Sequence, residues 1–93
     1  MSDLIFHPEN GEAKRIANDS QNESYVMRGG DGKKLLRVSL RNASRGKGDY
    51  LVTFGRDPDI CDIVLGNSKY YSKLHCCIYI NRNLVNWFYW TNL

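Results

Sequence analysis

The sequence predicts an all-β fold, a small β-sandwich within a single domain. Three observations support this class: short β-branched and aromatic runs, polar or glycine-containing loops between them, and no convincing helical periodicity. The chain has 93 residues, of which 42% are hydrophobic and 25% are charged, as in soluble globular proteins. A chain of this size has room for one packed core.

The first 24 residues are predicted to be a flexible N-terminal leader. The segment from Pro8 to Ser24 is mostly polar, and Ile16 and Ala17 offer little apolar surface to offset the entropy of ordering it. A short helix around Glu12 to Asn18 is compatible with the sequence, but isolated helices of that length are marginal in water. The folded domain is therefore expected to cover residues 25–93.

Short runs of alternating or β-branched residues give the expected strands. These strands are Tyr25–Met27, Leu36–Arg41, Tyr50–Phe54, Ile63–Leu65, His75–Ile80 and Leu84–Trp90. A glycine-rich turn at residues 29–32 separates the first two, and the polar segment 42–49 is predicted to be an exposed loop. Gly55 ends the third strand at a point where a side chain would be in the way or φ must be positive.

Two short motifs lie at the ends of consecutive strands. Gly55-Arg56 closes one strand and precedes Asp62-Ile63-Val64-Leu65, and Ser72-Lys73-Leu74-His75 opens the next strand. This arrangement, over about residues 50–90, resembles the forkhead-associated domain, whose pattern is Gly-Arg, an acidic-apolar strand, Ser-x-x-His and a later Asn-Gly turn. The resemblance implies an FHA/SMAD-like β-sandwich that recognises phosphothreonine.

The resemblance also implies the roles of individual residues. Arg56 and Ser72 hold the phosphate, Lys73 adds a second cation, and Gly55 and His75 support the binding loops. These residue types suit the task, because a guanidinium offers a rigid fork of donors to two phosphate oxygens and a hydroxyl donates to a third. Docking of this kind needs no catalytic base, so we expect no enzymatic activity, no cofactor and no metal.

The pattern departs from the family at its end. The Asn-Gly turn is not present: Thr91-Asn92 is the nearest candidate, but Leu93 stands where the family has glycine. The chain stops directly after its most apolar strand, which leaves an aromatic edge with nothing to cover it. We therefore expect a domain incomplete at the C-terminus, with its last strands outside these residues.

The cellular setting follows partly from composition and partly from the resemblance. Three cysteines, two of them adjacent, do not form the spaced even set of a secreted disulfide scaffold, which favours an intracellular protein. No apolar run is long enough to cross a bilayer. The resemblance implies a nuclear signalling module of the DNA-damage or cell-cycle checkpoint type, associated with a protein kinase or another nuclear protein, whose partner carries phosphothreonine.

Three other kinds of site are weighed against this interpretation. Cys61, Cys76, Cys77 and His75 lack the spacing of zinc ligands, and adjacent residues on a strand face opposite ways, which also disfavours a Cys/His nucleophile pair. Nucleic-acid binding is the main alternative function, since the stretch from Arg28 to Lys47 is basic. That stretch has no aromatic residue to stack on bases, which disfavours a single-strand reader.

Overall fold

A computed structural model describes residues 3–39, 44–46, 49–81 and 84–89. The elements in chain order are β1 (Asp3–Phe6), α1 (Gly11–Asn18), a 3-10 helix (Ser20–Tyr25), β2 (Val26–Arg28), β3 (Lys34–Ser39), β4 (Ser44–Gly46), β5 (Asp49–Gly55), β6 (Ile63–Val64), β7 (Cys76–Asn81) and β8 (Leu84–Tyr89). Most of these elements are strands, and they form two sheets. The predicted all-β class is confirmed.

The two sheets differ in size and in how their strands are connected. The first is antiparallel, in the order β1-β3-β2, and the second has the order β4-β5-β7-β8. In the second sheet β7 pairs with β5 from Asp49 to Phe54, while β6 pairs with β5 in the parallel direction. Because β7 occupies one edge of β5, the other edge of β5 is shared by β4 and β6.

The hydrophobic core lies between the sheets and under α1. Alternate residues of the strands supply it, as the pleat requires. Its buried members are Ala17, Leu36, Val38, Val52, Phe54, Ile63, Leu65, Cys76, Ile78 and Ile80. The rings of Phe6 on β1 and Phe54 on β5 meet edge to face with centroids 5.4 Å apart, a favourable aromatic contact that joins the two sheets.

The N-terminal segment, residues 3–25, carries a strand and two helical elements where the sequence predicted a flexible leader. Strand β1 pairs with β3 from Asp3 opposite Ser39 to Phe6 opposite Leu36. Helix α1 begins at a cap, since the Asn10 side chain accepts a hydrogen bond from the Ala13 amide at 2.8 Å. In the structure this segment contacts partners distant in sequence, which its own polar composition does not reveal.

Asn22, in the 3-10 helix, forms the most buried of these long-range polar contacts. Its side chain is 0% exposed. The amide nitrogen donates to the Val64 carbonyl at 2.8 Å and to the Ile16 carbonyl at 2.9 Å, and the amide oxygen accepts from the Val64 N–H at 2.8 Å. The Asn22 amide therefore pairs with β6 much as a neighbouring strand would.

Helix α1 makes a second set of contacts, with the loop between β6 and β7. A guanidinium nitrogen of Arg15 donates to the Leu65 carbonyl at 2.6 Å, and the Tyr71 hydroxyl donates to Oε1 of Glu12 at 2.6 Å. Arg15 also donates from Nε to that same carboxylate oxygen at 3.1 Å. Gly66, with φ of 112°, leaves room for Arg15, whose Nη1 would lie 3.0 Å from a Cβ at that position.

The polar stretch 42–49, predicted to be an exposed loop, contains the short strand β4. Ser44 pairs with Tyr50 and Gly46 with Asp49, and the register shifts between the two pairs. A pairing of this kind depends on the neighbouring strand and not on local β-propensity, so Ser-Arg-Gly gave no sign of it. Residues 42–43 and 47–48 of the predicted loop lie outside the described residues, as do residues 90–93, which include Thr91 and Asn92.

Candidate functional site

The two motifs singled out in the sequence lie on adjacent loops. Beyond the last paired residues of β5 and β7, the backbones continue to exchange hydrogen bonds: Arg56 N–H donates to Ser72 C=O at 3.0 Å, and Asp57 N–H donates to Lys73 C=O at 3.2 Å. His75 N–H donates to Phe54 C=O at 2.8 Å. Arg56 and Ser72 therefore lie side by side, although 15 residues separate them in the sequence.

Gly55 allows these two loops to approach so closely. A Cβ at this position would lie 2.2 Å from the Lys73 carbonyl oxygen and 2.6 Å from the Cys61 sulfur. Gly55 also accepts a hydrogen bond from Leu65 N–H at 2.8 Å, which fixes the start of the next loop. The glycine is thus required by close backbone approach, one of the two reasons that the sequence suggested for it.

The side chains at the junction of the loops are accessible. Arg56 and Ser72 are half-buried and Lys73 is exposed. Among the residues that the structure describes, the Arg56 guanidinium, the Ser72 hydroxyl and the Lys73 ammonium have no hydrogen-bond or ion-pair partner. A guanidinium fork, a hydroxyl and an ammonium are donors suited to a phosphate dianion.

His75 links the junction to the loop that precedes it. Its Nδ1 accepts a hydrogen bond from the Ser72 N–H at 3.3 Å, and its ring meets the Tyr71 ring edge to face, with centroids 5.4 Å apart. The imidazole therefore directly contacts the backbone of Ser72, a candidate phosphate-binding residue. This geometry supports an architectural role for His75, since an Nδ1 that accepts this bond is engaged in holding the loop.

Cys61 is a supporting residue that the sequence did not reveal. Its thiol donates to the Lys73 carbonyl at 3.0 Å, the same oxygen that accepts from Asp57. Burial raises the pKa of this thiol, so it stays protonated and able to donate. Nothing local marks such a contact, because it depends on the two loops having met.

The carboxylate of Glu12 supports the loop before Ser72 from the side of α1. Hydrogen bonds from Arg15 and then from Tyr71 lower the pKa of Glu12 from 4.5 to about 2. The bond to Glu12 raises the pKa of the Tyr71 hydroxyl. The two shifts have the directions expected for a phenol that donates to an ionised carboxylate.

This shift predicts an acid-sensitive contribution to stability. A carboxyl whose pKa is lower in the folded chain stabilises it above the unfolded pKa of 4.5, and the contribution is lost as pH falls from 4.5 towards about 2. We expect the difference in melting temperature between wild type and Glu12→Gln to be constant above that range and to narrow within it. Thermal melts of both proteins across this range provide the measurement; a difference independent of pH would contradict the assignment.

The basic stretch that suggested nucleic-acid binding is partly engaged within the protein. Arg28 donates to the Gly32 carbonyl at 2.9 Å, Lys33 lies 3.9 Å from an Asp31 carboxylate oxygen, and Arg37 lies 3.9 Å from that of Asp3. Arg41 and Lys47 lie outside the described residues. Exposed pairs of this kind are weak, but they reduce the free positive charge offered to a polyanion.

The cysteines show the geometry of core residues. Cys61, Cys76 and Cys77 are buried free thiols, and burial raises the pKa of Cys76 to about 11. A thiol with a raised pKa is a poor nucleophile and a poor metal ligand. In the described part of the chain, no three histidine, cysteine or acidic residues are grouped as metal ligands would be. A search of the same residues found no helix long and apolar enough to span a bilayer.

The sequence motifs thus identified the junction of the loops but not what supports it from outside. Asn22, Arg15 and Tyr71 were not singled out, and Glu12 appeared only as part of a short helix. The one local signal was Asn10 placed before that helix, a residue type favoured at the N-cap.

Comparison with known protein families gives one match. The model of the forkhead-associated (FHA) domain matches residues 52–92, a range that includes Gly55, Arg56, Ser72, Lys73 and His75. No curated protein and no solved structure matches the chain. FHA domains are in general binding modules for phosphothreonine peptides in signalling, without catalytic activity. The family model that matches residues 52–92 is therefore that of the family which the two sequence motifs resemble.

Proposed function

We propose that this chain docks onto proteins that carry phosphothreonine, with Arg56 and Ser72 holding the phosphate. The observation that carries the proposal is the hydrogen bond from Arg56 N–H to Ser72 C=O, which brings the two loops together. Both side chains lack a partner within the described residues, so they are available to a ligand. The family match over residues 52–92 supports the same function.

Three donors of different kinds define the proposed site. The Arg56 guanidinium forms a two-pronged contact with the phosphate, the Ser72 hydroxyl donates to a further oxygen, and the exposed Lys73 ammonium adds a second positive charge. Gly55 and His75 hold the loops in place and do not touch the ligand in this proposal. The proposal assigns no chemical step to the site, because recognition requires only binding.

The proposed setting is nuclear signalling of the DNA-damage or cell-cycle checkpoint type, as part of a protein kinase or another nuclear signalling protein. It is supported by the family alone, whose domains commonly occur in such proteins. Imaging of the tagged protein in its own cells tests it: exclusion from the nucleus before and after DNA damage would contradict it.

Isothermal calorimetry with matched peptides tests the binding function. We expect a mixture of phosphothreonine peptides to contain binders and the unphosphorylated mixture to contain none. Each charge-assisted bond is worth about 1.5–3 kcal/mol, so Arg56→Ala is expected to weaken binding by roughly 10-fold to more than 100-fold. Arg56→Lys keeps the charge but loses the fork of donors, so its affinity for the phosphopeptide should lie between that of the wild type and that of Arg56→Ala.

Arg37→Ala is the matched control. It removes the same side chain and charge from β3, where Arg37 is exposed and, among the described residues, is paired with Asp3 alone, at 3.9 Å. Affinity for the phosphopeptide is expected to be unchanged in this variant. Equal binding of phosphorylated and unphosphorylated peptides, or equal losses in the two arginine variants, would contradict the site. Binding of DNA or RNA that weakens steeply with salt and ignores phosphopeptide competition would favour the nucleic-acid alternative.

A further inference from the structure

The contacts between α1 and the loop after β6 extend to Ser72, one of the residues proposed to bind the phosphate. We use the term helix latch for Glu12, Arg15 and Tyr71. The Tyr71 hydroxyl donates to the Glu12 carboxylate at 2.6 Å, and Arg15 joins that same carboxylate to the Leu65 carbonyl, to which it donates at 2.6 Å. The latch therefore ties the loop to α1 at both its start and its end.

The end of the loop is where the latch reaches the site. Tyr71 immediately precedes Ser72 in the chain, and its ring packs edge to face against His75. His75 in turn accepts the hydrogen bond from the Ser72 amide. A continuous series of contacts thus runs from Glu12 through Tyr71 and His75 to Ser72.

The loop between the two ends of the latch has few other constraints. Residues 67–70 are exposed, and Tyr70 is 91% exposed. The contacts inside the loop are short-range, from Tyr70 N–H to the Ser68 hydroxyl at 3.2 Å and from Tyr71 N–H to the Ser68 carbonyl at 3.1 Å. A loop that is ordered before binding loses less conformational entropy on binding, which increases affinity.

We propose that Glu12, Arg15 and Tyr71 are positioning residues, which hold the Ser72 loop beside Arg56 and thereby increase affinity for phosphothreonine. This inference rests on the proposed function, and it makes the N-terminal segment part of the binding module. The latch residues do not contact the ligand. Their effect passes through the conformation of the Ser72 backbone.

Tyr71→Phe is the sharpest test, because it removes one hydroxyl and leaves the packing of the ring on His75. Tyr70→Phe is its matched control, since the neighbouring side chain is 91% exposed. We expect Tyr71→Phe to accelerate hydrogen exchange of the Ser72 amide and to weaken binding of a phosphothreonine peptide by about threefold to tenfold, the size typical of losing one ordinary hydrogen bond, because Tyr71 acts on the ligand only through Ser72. Tyr70→Phe should change neither.

A double variant shows whether the two partners act together. Glu12→Ala removes the acceptor of the Tyr71 hydroxyl, so it should produce at least a similar loss, and combining it with Tyr71→Phe should add little further, because both changes break the same contact. Glu9→Ala is the control for the loss of a carboxylate, since Glu9 is exposed and precedes α1. Independent, additive losses would contradict the latch.

The two readouts separate failure of the latch from failure of the proposed function. Unchanged exchange at Ser72 in Tyr71→Phe would overturn the latch, whatever the peptide does. Faster exchange with unchanged affinity would also overturn it, since the contact would then be structural only. If the wild-type protein binds no phosphothreonine peptide, the proposed function is wrong, and the exchange data alone then decide whether Tyr71 orders the Ser72 loop.

Discussion

Gly55→Ala is expected to abolish phosphothreonine binding and to lower the free energy of unfolding. The added methyl group would lie 2.2 Å from the Lys73 carbonyl oxygen and 2.9 Å from its carbon, which are backbone atoms that cannot rotate away. The loops must separate to accommodate it, and this separation breaks the hydrogen bonds from Arg56 to Ser72 and from Asp57 to Lys73. Overpacking of this kind costs about 1–3 kcal/mol or more.

Urea denaturation and peptide calorimetry on the same preparation measure both effects. Gly30→Ala is the matched control, because no atom lies within 4 Å of a Cβ at that position. We expect the control to retain wild-type affinity and a nearly unchanged urea midpoint. Should Gly55→Ala bind the phosphopeptide as well as the control does, the close approach of the two loops would not matter for recognition.

The second large effect is expected at Asn22, which is not one of the residues proposed to bind the phosphate. Asn22→Ala leaves the Val64 N–H and C=O without their partner and removes the bond to the Ile16 carbonyl. Each buried polar group left unsatisfied costs about 1–3 kcal/mol, so a loss of roughly 3–5 kcal/mol is expected for the three bonds together. This is a large fraction of the stability of a small domain.

Chemical denaturation with Asn18→Ala as the control tests this prediction. Asn18 is exposed, and in the described part of the chain its side chain bonds within its own helix alone, to the Lys14 carbonyl at 2.8 Å. Asn22→Asp adds a second comparison, because it keeps the shape and the acceptor but loses the donor to the Val64 and Ile16 carbonyls. Equal urea midpoints for Asn22→Ala and Asn18→Ala would show that Asn22 does not hold β6.

The parts of the fold that could be predicted are those that leave a local pattern. Alternation marks β3 and β5, and Gly55 marks the end of β5, because a pleated strand and a close backbone approach each restrict the residue type at the position itself. The positions of Arg56 and Ser72 on adjacent loops follow from antiparallel pairing of β5 with β7. Such pairing is implied once the motifs at the strand ends are recognised.

The parts that could not be predicted depend on partners distant in the chain. Asn22 has the same residue type as the exposed Asn18, and only the presence of Val64 makes one of them a buried structural residue. The N-terminal segment was predicted to be a flexible leader because its composition offers little apolar surface. Its docking in the structure relies on a few hydrogen bonds, which composition does not report. Strand β4 was missed for a related reason, since its partner β5 defines it.

The docking of the N-terminal segment also fixes an order of events during protein synthesis. The partners of Asn22, Arg15 and Glu12 follow them by 42, 50 and 59 residues respectively. When Glu12, Arg15 and Asn22 leave the ribosome, their partners have not yet been translated. These partners are the backbone of Val64 and Leu65 and the Tyr71 hydroxyl. Glu12, Arg15 and Asn22 must wait undocked while the central strands are made, so a segment translated before those strands reaches its native contacts after them.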